Sequence, residues 1–304
     1  MIDRQPFLPS RSGSTRIRTR GSDASAAHAA SVSPVPHAAL GTPDAPPVAG
    51  HAREGLRTVY LTTNDPLYLP AFFDRVLGER HAETQAVYIA PPLFKKQTTW
   101  QATLRYARTF GTAAAVQLTA RVLEASVRGQ SIAAVCRKWG VRSAGVTDVN
   151  APGFLDELRS LSPDVLVSVS CPLIFKKPLI ELPPQGILNI HGAILPHYRG
   201  LMPAFRMLAN GEQQAGVSIY FVNEDIDAGD LCGQRVFEIP PVDTLDSFLR
   251  RSKAVAADLL LEILTRMQDE SLTRTPLDLA KGSYYKWPDA ASVRQFRARG
   301  RKLW

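Results

Sequence analysis

Residues 164–170 read DVLVSVS, almost unbroken in apolar side chains and too short for a helix of their own. A strand that is apolar on both faces must be covered on both, which is the situation of an inner strand in a parallel sheet. Other segments share its length and character. Residues 57–63 (RTVYLTT) and 86–90 (AVYIA, ended by Pro91-Pro92) read as strands before it, and residues 186–195 (GILNIHGAIL) as a strand that runs on into a loop. Residues 216–222 and 231–239 complete the set. Helical spacing fills the intervals: 71–77 stopping at Gly78, 98–127 interrupted at Gly111, and 132–139 closed by Gly140. A helix begun by Asn150, with Pro152 in its first turn, runs to Leu161. Residues 173–182 and 203–209 give shorter helices, and Thr244 caps a long one over 245–267. Strands alternating with helices predict an α/β chain, a mostly parallel sheet with helices on both faces. Ligands of such sheets bind beyond the carboxyl ends of the strands.

Composition narrows the function classes. The chain is 45% hydrophobic and 21% charged, the balance of an ordinary water-soluble domain, and no apolar run reaches the roughly 18 residues of a membrane span. Cys136, Cys171 and Cys232 are far apart and form no CxxC or Cys/His spacing. Free thiols of this kind fit a reducing, cytoplasmic location. There is no GxGxxG and no P-loop, so neither a nicotinamide dinucleotide nor a phosphate-cradling loop is indicated.

The net charge of +8 is partly gathered at the two ends, in Arg4, Arg11, Arg16, Arg18 and Arg20, and in Arg294, Arg297, Arg299, Arg301 and Lys302. Such ends are either solvated tails or a clamp for a polyanion. Residues 1–55, rich in Ser, Ala, Pro, Gly and Arg, are predicted to be a disordered extension. Pro34, Pro36, Pro43, Pro46 and Pro47 oppose the amphipathic helix of a transit peptide, which leaves a flexible extension or an upstream start that the protein does not use.

Three clusters could carry chemistry. Asn189 and His191 lie two apart on a strand and so project to one side together. An uncharged amide donor beside an imidazole suits stabilisation of an oxyanion at a carbonyl, although a core His and a strand-ending Asn give the same letters. The loop LPHYRG at 195–200 is stiffened by Pro196 and holds His197, Tyr198, Arg199 and Gly200. Arg199 can meet a carboxylate or phosphate, or simply be exposed on a strand-to-helix turn. Residues 223–230 (NEDIDAGD) hold four carboxylates between two strands. They are a polar connection or the source of a carboxylate beside His191 that would stabilise the imidazolium and orient its ring. Their spacing is not that of an EF-hand, and no metal is expected.

These residues resemble the catalytic core of the formyltransferase family, whose members move a formyl group from 10-formyltetrahydrofolate to glycinamide ribonucleotide, methionyl-tRNA or amino sugars. The resemblance rests on NIH at 189–191, LPHYRG at 195–200, GVSIY at 216–220 and DAGD at 227–230, in the family's order and spacing. It extends more weakly over residues 57–267. It implies the formyltransferase fold, Rossmann-like, over residues 56–270, followed by a basic, aromatic C-terminal tail at 271–304. By matching position, Asn189, His191 and Asp227 correspond to the family's catalytic residues. The resemblance also implies a 10-formyltetrahydrofolate co-substrate along Ser168, Ser170, Leu173, Ile174, Val222, Asn223 and Ile226. The amine would then meet His197, Tyr198, Arg199 and Gly200. Two departures are visible. Gly192 stands where relatives commonly have Pro or Ser, and the segment before Asn150 is longer than in the purine enzyme.

The expected partners are the folate and a small-molecule amine, foremost an amino-sugar nucleotide, with no membrane; a homodimer is allowed. The tail SYYKWP at 283–288, with Phe296 and the closing arginines, resembles tails of sugar-nucleotide enzymes, where an aromatic beside a cation can stack a base. The chain after Ile239 is too short for the C-terminal barrel usual in the tRNA enzymes, so nucleic acid is the lesser expectation, with tRNA as its one form. The remaining alternatives are a purine precursor as acceptor, a formyltetrahydrofolate hydrolase and a non-catalytic folate-binding protein.

Overall fold

The computed structural model describes residues 55–91 and 98–304. The extension expected over residues 1–55 lies, apart from Gly55, outside them. The strands are β1 (Thr58–Thr63), β2 (Thr84–Ala90), β3 (Ser143–Gly145), β4 (Val165–Val169), β5 (Ile187–His191), β6 (Arg199–Gly200), β7 (Gln214–Phe221), β8 (Leu231–Glu238) and β9 (Tyr284–Tyr285). Seven form one sheet in the order β3-β2-β1-β4-β5-β7-β8, while β6 and β9 pair separately. From β3 to β5 the pairing is parallel; β7 runs antiparallel to β5, and β8 antiparallel to β7. Every residue of β1 and β4 is buried, the two-sided burial their composition predicts.

The helices are α1 (Leu69–Arg80), α2 (Thr99–Phe110), α3 (Thr112–Val127), α4 (Ile132–Lys138), α5 (Pro152–Leu161), α6 (Lys177–Ile180), α7 (Pro203–Asn210), α8 (Leu245–Gln268) and α9 (Ala290–Ala298). On one face of the sheet, α1, α4 and α8 bury Phe72, Phe73, Ile132, Leu260 and Ile263 against Val167, Leu188 and Ile190. The other face is covered by α5, through Phe154, Leu155 and Leu158, and by Leu179 of α6. A third cluster joins Phe110 at the end of α2 to Phe205 of α7 and Phe296 of α9. Phe205 meets Phe110 edge-on with centroids 5.3 Å apart and stacks on Phe296 at 4.9 Å. Phe205→Ala removes the ring common to both pairs and is expected to cost about 3–5 kcal/mol. A denaturant midpoint within error of the parent would show that this cluster does not support the fold.

Several boundaries differ from the sequence reading, each for a local reason. Helix α1 continues through Gly78, which keeps a negative φ and packs on the Trp139 ring, where a Cβ would be in ordinary contact at 3.5 Å. Of the helix expected over 173–182 only α6 forms. Asn150 reaches across and binds that segment in an extended shape, donating from Nδ2 to Ile174 O at 2.9 Å and accepting from Lys176 N at 2.8 Å. Asn150 therefore does not cap α5, whose N-cap is Ala151. Gly111, at φ +104°, separates α2 from α3 where a break was expected.

The C-terminal residues fold onto the same body. Arg297 donates to Phe110 O, Arg299 to Ala209 O, and Arg301 to Pro240 O and Pro241 O, so these closing arginines hold carbonyls at the C-terminal ends of α2 and α7 and in the loop after β8. Among the described residues, no helix is long and apolar enough to cross a membrane.

Candidate active site

Strand β5 ends beside β4 on one side and β7 on the other, and it carries Asn189 and His191 to the carboxyl edge of the parallel strands. Antiparallel register sets Asn189 opposite Tyr220 of β7. Asn189 Nδ2 donates to the Tyr220 hydroxyl at 2.8 Å, and that hydroxyl donates to Asp227 Oδ1 at 2.8 Å. Asp227 sits in the turn between β7 and β8, buried and at φ +51°. Its second oxygen accepts the Gly200 N–H at 2.8 Å. His191 closes the ring, with Nδ1 3.7 Å from Asp227 Oδ1 and Nε2 2.8 Å from Tyr198 O.

The partners decide the protonation pattern. A carbonyl oxygen only accepts, so the Nε2 next to Tyr198 O carries a hydrogen and Nδ1 is the nitrogen that gains or loses one. Nδ1 faces the Asp227 carboxylate across 3.7 Å. Burial, with Asp227 beside it, pushes the Tyr220 phenol far above its ordinary range, so the hydroxyl stays protonated and keeps donating. The second N–H of the Asn189 amide has no partner among the described residues and is available to an oxygen in the cleft.

A strap from the C-terminal segment holds the loop that completes this ring. Ser283 Oγ accepts from Tyr198 N at 2.9 Å, Ser283 O accepts from Arg199 N at 2.9 Å, and Tyr285 O accepts from Leu201 N at 2.8 Å. The Tyr198 and Tyr285 rings stack at 5.2 Å and 12°. Gly200 lies at φ +91°, and a Cβ there would fall 2.3 Å from Tyr285 O, so only glycine fits between loop and strap. Six non-glycine residues have positive φ among the described residues, and four of them, Ser170, Tyr198, Met202 and Asp227, lie at this end of the sheet. Such conformations cost roughly 1–3 kcal/mol each and persist where surrounding structure imposes them, which is common at sites.

The three residues expected to be catalytic, Asn189, His191 and Asp227, are thus brought together, though Asn189 and Asp227 meet through Tyr220. Of the residues expected to line the folate, Ser168 is buried on β4 in register with Asn189. Leu173 and Val222 pack at the edge of the α5-side cluster, whereas Ile174 and Ile226 are 71% and 55% exposed. Asn223 braces its own turn, donating to Ala228 O and accepting from Asp225 N. Ser170 is held by Lys253 of α8, at 2.7 Å.

Of the residues expected to meet the amine, Tyr198 donates its hydroxyl to Glu212 and accepts from Asn210 Nδ2, and Gly200 gives its N–H to Asp227. His197 donates its backbone N–H to Ile194 O. Arg199 has a buried Nε without a hydrogen-bond partner, its guanidinium 6.0 Å from the Tyr284 ring. Sequence reasoning missed the contacts of Tyr220 and Lys253, and it read Ser283 and Tyr285 as part of a tail that could stack a base, not as the strap on this loop. Tyr220 left a signal as the hydroxyl at the end of GVSIY. Among the described residues, no group of three or more His, Cys, Asp or Glu is placed to hold a metal ion.

Comparison with known proteins bears on this arrangement. A family profile described as Formyl transferase matches residues 113–264, half of the chain. The methionyl-tRNA formyltransferase of Kosmotoga olearia is 31% identical over 150 residues, 49% of this chain and 48% of that protein. That of Ruminiclostridium cellulolyticum is 30% identical over 145 residues, 48% of this chain and 46% of that protein. The chain spans about half the length of the curated relatives it matches.

Among solved structures, glycinamide ribonucleotide transformylase 1 from Symbiobacterium toebii superposes with a TM-score of 0.52 at 15% identity, over 73% of this chain and 95% of that one. The N-formyltransferase from Helicobacter canadensis, solved with folinic acid and dTDP-3-aminofucose, gives 0.52 at 16% identity over 80% of each chain. These two share the fold. With the profile match enclosing NIH, LPHYRG, GVSIY and DAGD, the chain belongs to the formyl transferase family.

Proposed function

We propose that this protein transfers a formyl group from 10-formyltetrahydrofolate to a primary amine, an amino-sugar nucleotide or a similar small amine, by direct attack. The observation that carries this reading is the chain of contacts Asn189–Tyr220–Asp227–His191, which gathers an amide N–H and an imidazole at one end of β5. In the transfer, the amine nitrogen bonds to the formyl carbon and the carbonyl oxygen takes on charge. Asn189 offers its unused N–H to that oxygen, and His191, protonated at Nδ1, offers a second donor. Asp227 holds the imidazolium in place and, with His191, passes the proton lost by the amine toward the departing folate nitrogen. No covalent bond to the protein is required.

The residues at the strand ends suit a folate. Exposed Ile174 and Ile226, and the partly buried Leu173 and Val222, offer apolar surface to a flat ring.

Two acceptor readings have a specific basis. The Helicobacter canadensis neighbour, solved with an amino-sugar nucleotide, supports the small-amine reading. The methionyl-tRNA formyltransferase relatives support a tRNA acceptor as the second. Incubation of pure protein with 10-formyltetrahydrofolate and each acceptor class, read by mass spectrometry of the product and by formate release, separates them. A formylated amino-sugar nucleotide is the expected product. Formyl-methionyl-tRNA as sole product would establish the second reading. Formate release without any acceptor would make the protein a hydrolase, and no turnover at all would leave a folate-binding protein.

A further inference from the structure

Helix α3 has an outer face that the described residues do not cover. Only Arg121 and Glu124 of this helix are charged. A helix apolar nearly all round is normally buried on every side. The inner face of α3 obeys that rule. Ala115 and Ala125 are buried, Leu118 and Val122 are half-buried, and Arg121 reaches Asp246 at 2.9 Å and lies over the Trp304 ring. The opposite face carries Val116, Leu123 and Val127, exposed to 70%, 64% and 81%, with Ala113 and Ala120 exposed between them. Along the chain, 113, 116, 120, 123 and 127 alternate steps of three and four residues, the repeat by which one helix presents a seam to another.

The make-up of this seam fits a second copy of itself. Its side chains alternate small and large, and a seam of that kind packs best when the large residues of one helix meet the small ones of the other. A two-fold axis passing between Arg121 and Val122, with the helices antiparallel, does this. It sets Ala120 against the partner's Leu123, Leu123 against the partner's Ala120, and Val116 against the partner's Val127. Every large exposed side chain of α3 is then covered. A parallel pair would stack alanine on alanine and leucine on leucine, and it would align the two helix dipoles unfavourably.

The flanking positions agree. Gln117 and Glu124 border the seam on one side, and Thr112, Thr119 and Ser126 on the other. In the antiparallel register Glu124 comes beside the partner's Gln117, an amide donor, and Thr119 beside the partner's Ser126. The one carboxylate is already paired with Arg128 at 2.8 Å, so no like charges are forced together. The seam is about 24 Å long, which gives an interface below the roughly 1,200 Å² of a standard stable complex. Association is therefore in the micromolar range.

We infer that two copies of this chain associate through the outer faces of their α3 helices, packed antiparallel about a two-fold axis. The inference stands independently of the formyl-transfer reading.

The test is sedimentation equilibrium on the full chain, across and above the micromolar range. The parent is expected to pass from monomer to dimer. Leu123→Arg places a charge twice in each interface and is expected to weaken the dimer about 100-fold or more. Val116→Lys is a second variant, and both positions are exposed, so the monomer keeps its fold and its Tm. Val242→Arg, at an exposed valine after β8, is the control and should dimerise like the parent. Orientation is read by oxidation. Val116→Cys and Val127→Cys should give no linked dimer alone and a linked dimer when mixed, because only the mixture brings 116 and 127 together across the axis.

A parent that stays monomeric throughout would overturn the inference, as would a dimer that Leu123→Arg and Val116→Lys leave intact. Linked dimers of Val116→Cys alone would replace the antiparallel pair by a parallel one. A monomeric parent that sediments with phosphatidylcholine vesicles, where Leu123→Arg does not, would give the seam to a lipid surface instead.

Discussion

Asn189→Ala is expected to lower turnover about 10²–10³-fold, the usual effect of removing one oxyanion donor, and His191→Ala by at least as much. In the proposed transfer the two side chains act on charge that appears only as the amine adds to the formyl carbon. Their removal should therefore reduce kcat and kcat/KM together, with little change in KM for the folate. Asn189→Ala has a further effect, because Tyr220 loses the donor that sets its hydroxyl between Asn189 and Asp227. His191→Ala leaves Asp227 facing no cation and Tyr198 O without its donor. The two substitutions touch one ring, so the double variant should lose much less than the product of the single losses. Steady-state rates with formylated product as readout decide the matter, and near-parental rates in both single variants would remove these residues from the mechanism.

Gly200→Ala is expected to damage stability and turnover together. The new Cβ would lie 2.3 Å from the backbone oxygen of Tyr285 and 3.1 Å from the Tyr284 ring, at φ +91°. Backbone cannot move aside as a flexible side chain can, so either the strap separates from the loop or the glycine changes conformation. Each outcome misplaces the N–H that Gly200 gives to Asp227. A cost of roughly 3 kcal/mol follows from the strain alone, equivalent to a fall of about 6–12 °C in Tm for a domain of this size. Gly300→Ala is the matched control, since its φ is +70° but no atom lies within 4 Å of the added Cβ. If Gly200→Ala melts and turns over like Gly300→Ala, the pairing of Arg199–Gly200 with Tyr284–Tyr285 has no bearing on the site.

How far the site could be read from the letters depends on the range of the forces that build it. Strands β4 and β5 were legible because burial on both faces writes an apolar run into the sequence itself. Strand β3, three residues of Ser, Ala and Gly at the sheet edge, carries no such pattern and was missed. The motif order brought Asn189, His191 and Asp227 into view, but the part of Tyr220 depends on which residue faces Asn189 across an antiparallel pair. Register of that kind is set by the turn and by packing, not by any local pattern. Asn150 shows the same limit from the other side. Its letter is that of a helix cap, yet its amide is engaged by the backbone of Ile174 and Lys176, far along the chain. A two-residue strand such as β9 has too few positions to show any periodicity, and Lys253 reads only as one more polar residue on a long helix.

The strap also bears on the order in which the molecule comes into being. A chain is made from its N-terminus, so all seven strands of the main sheet have been synthesised before Ser283 and Tyr285 exist. Until then Tyr198, Arg199 and Leu201 lack the backbone partners that fix them, and with them the carbonyl and amide that orient His191 and Asp227. A nascent polypeptide can thus have its whole β-layer in hand while the groups proposed to react are not yet set, because the segment that sets them is made later.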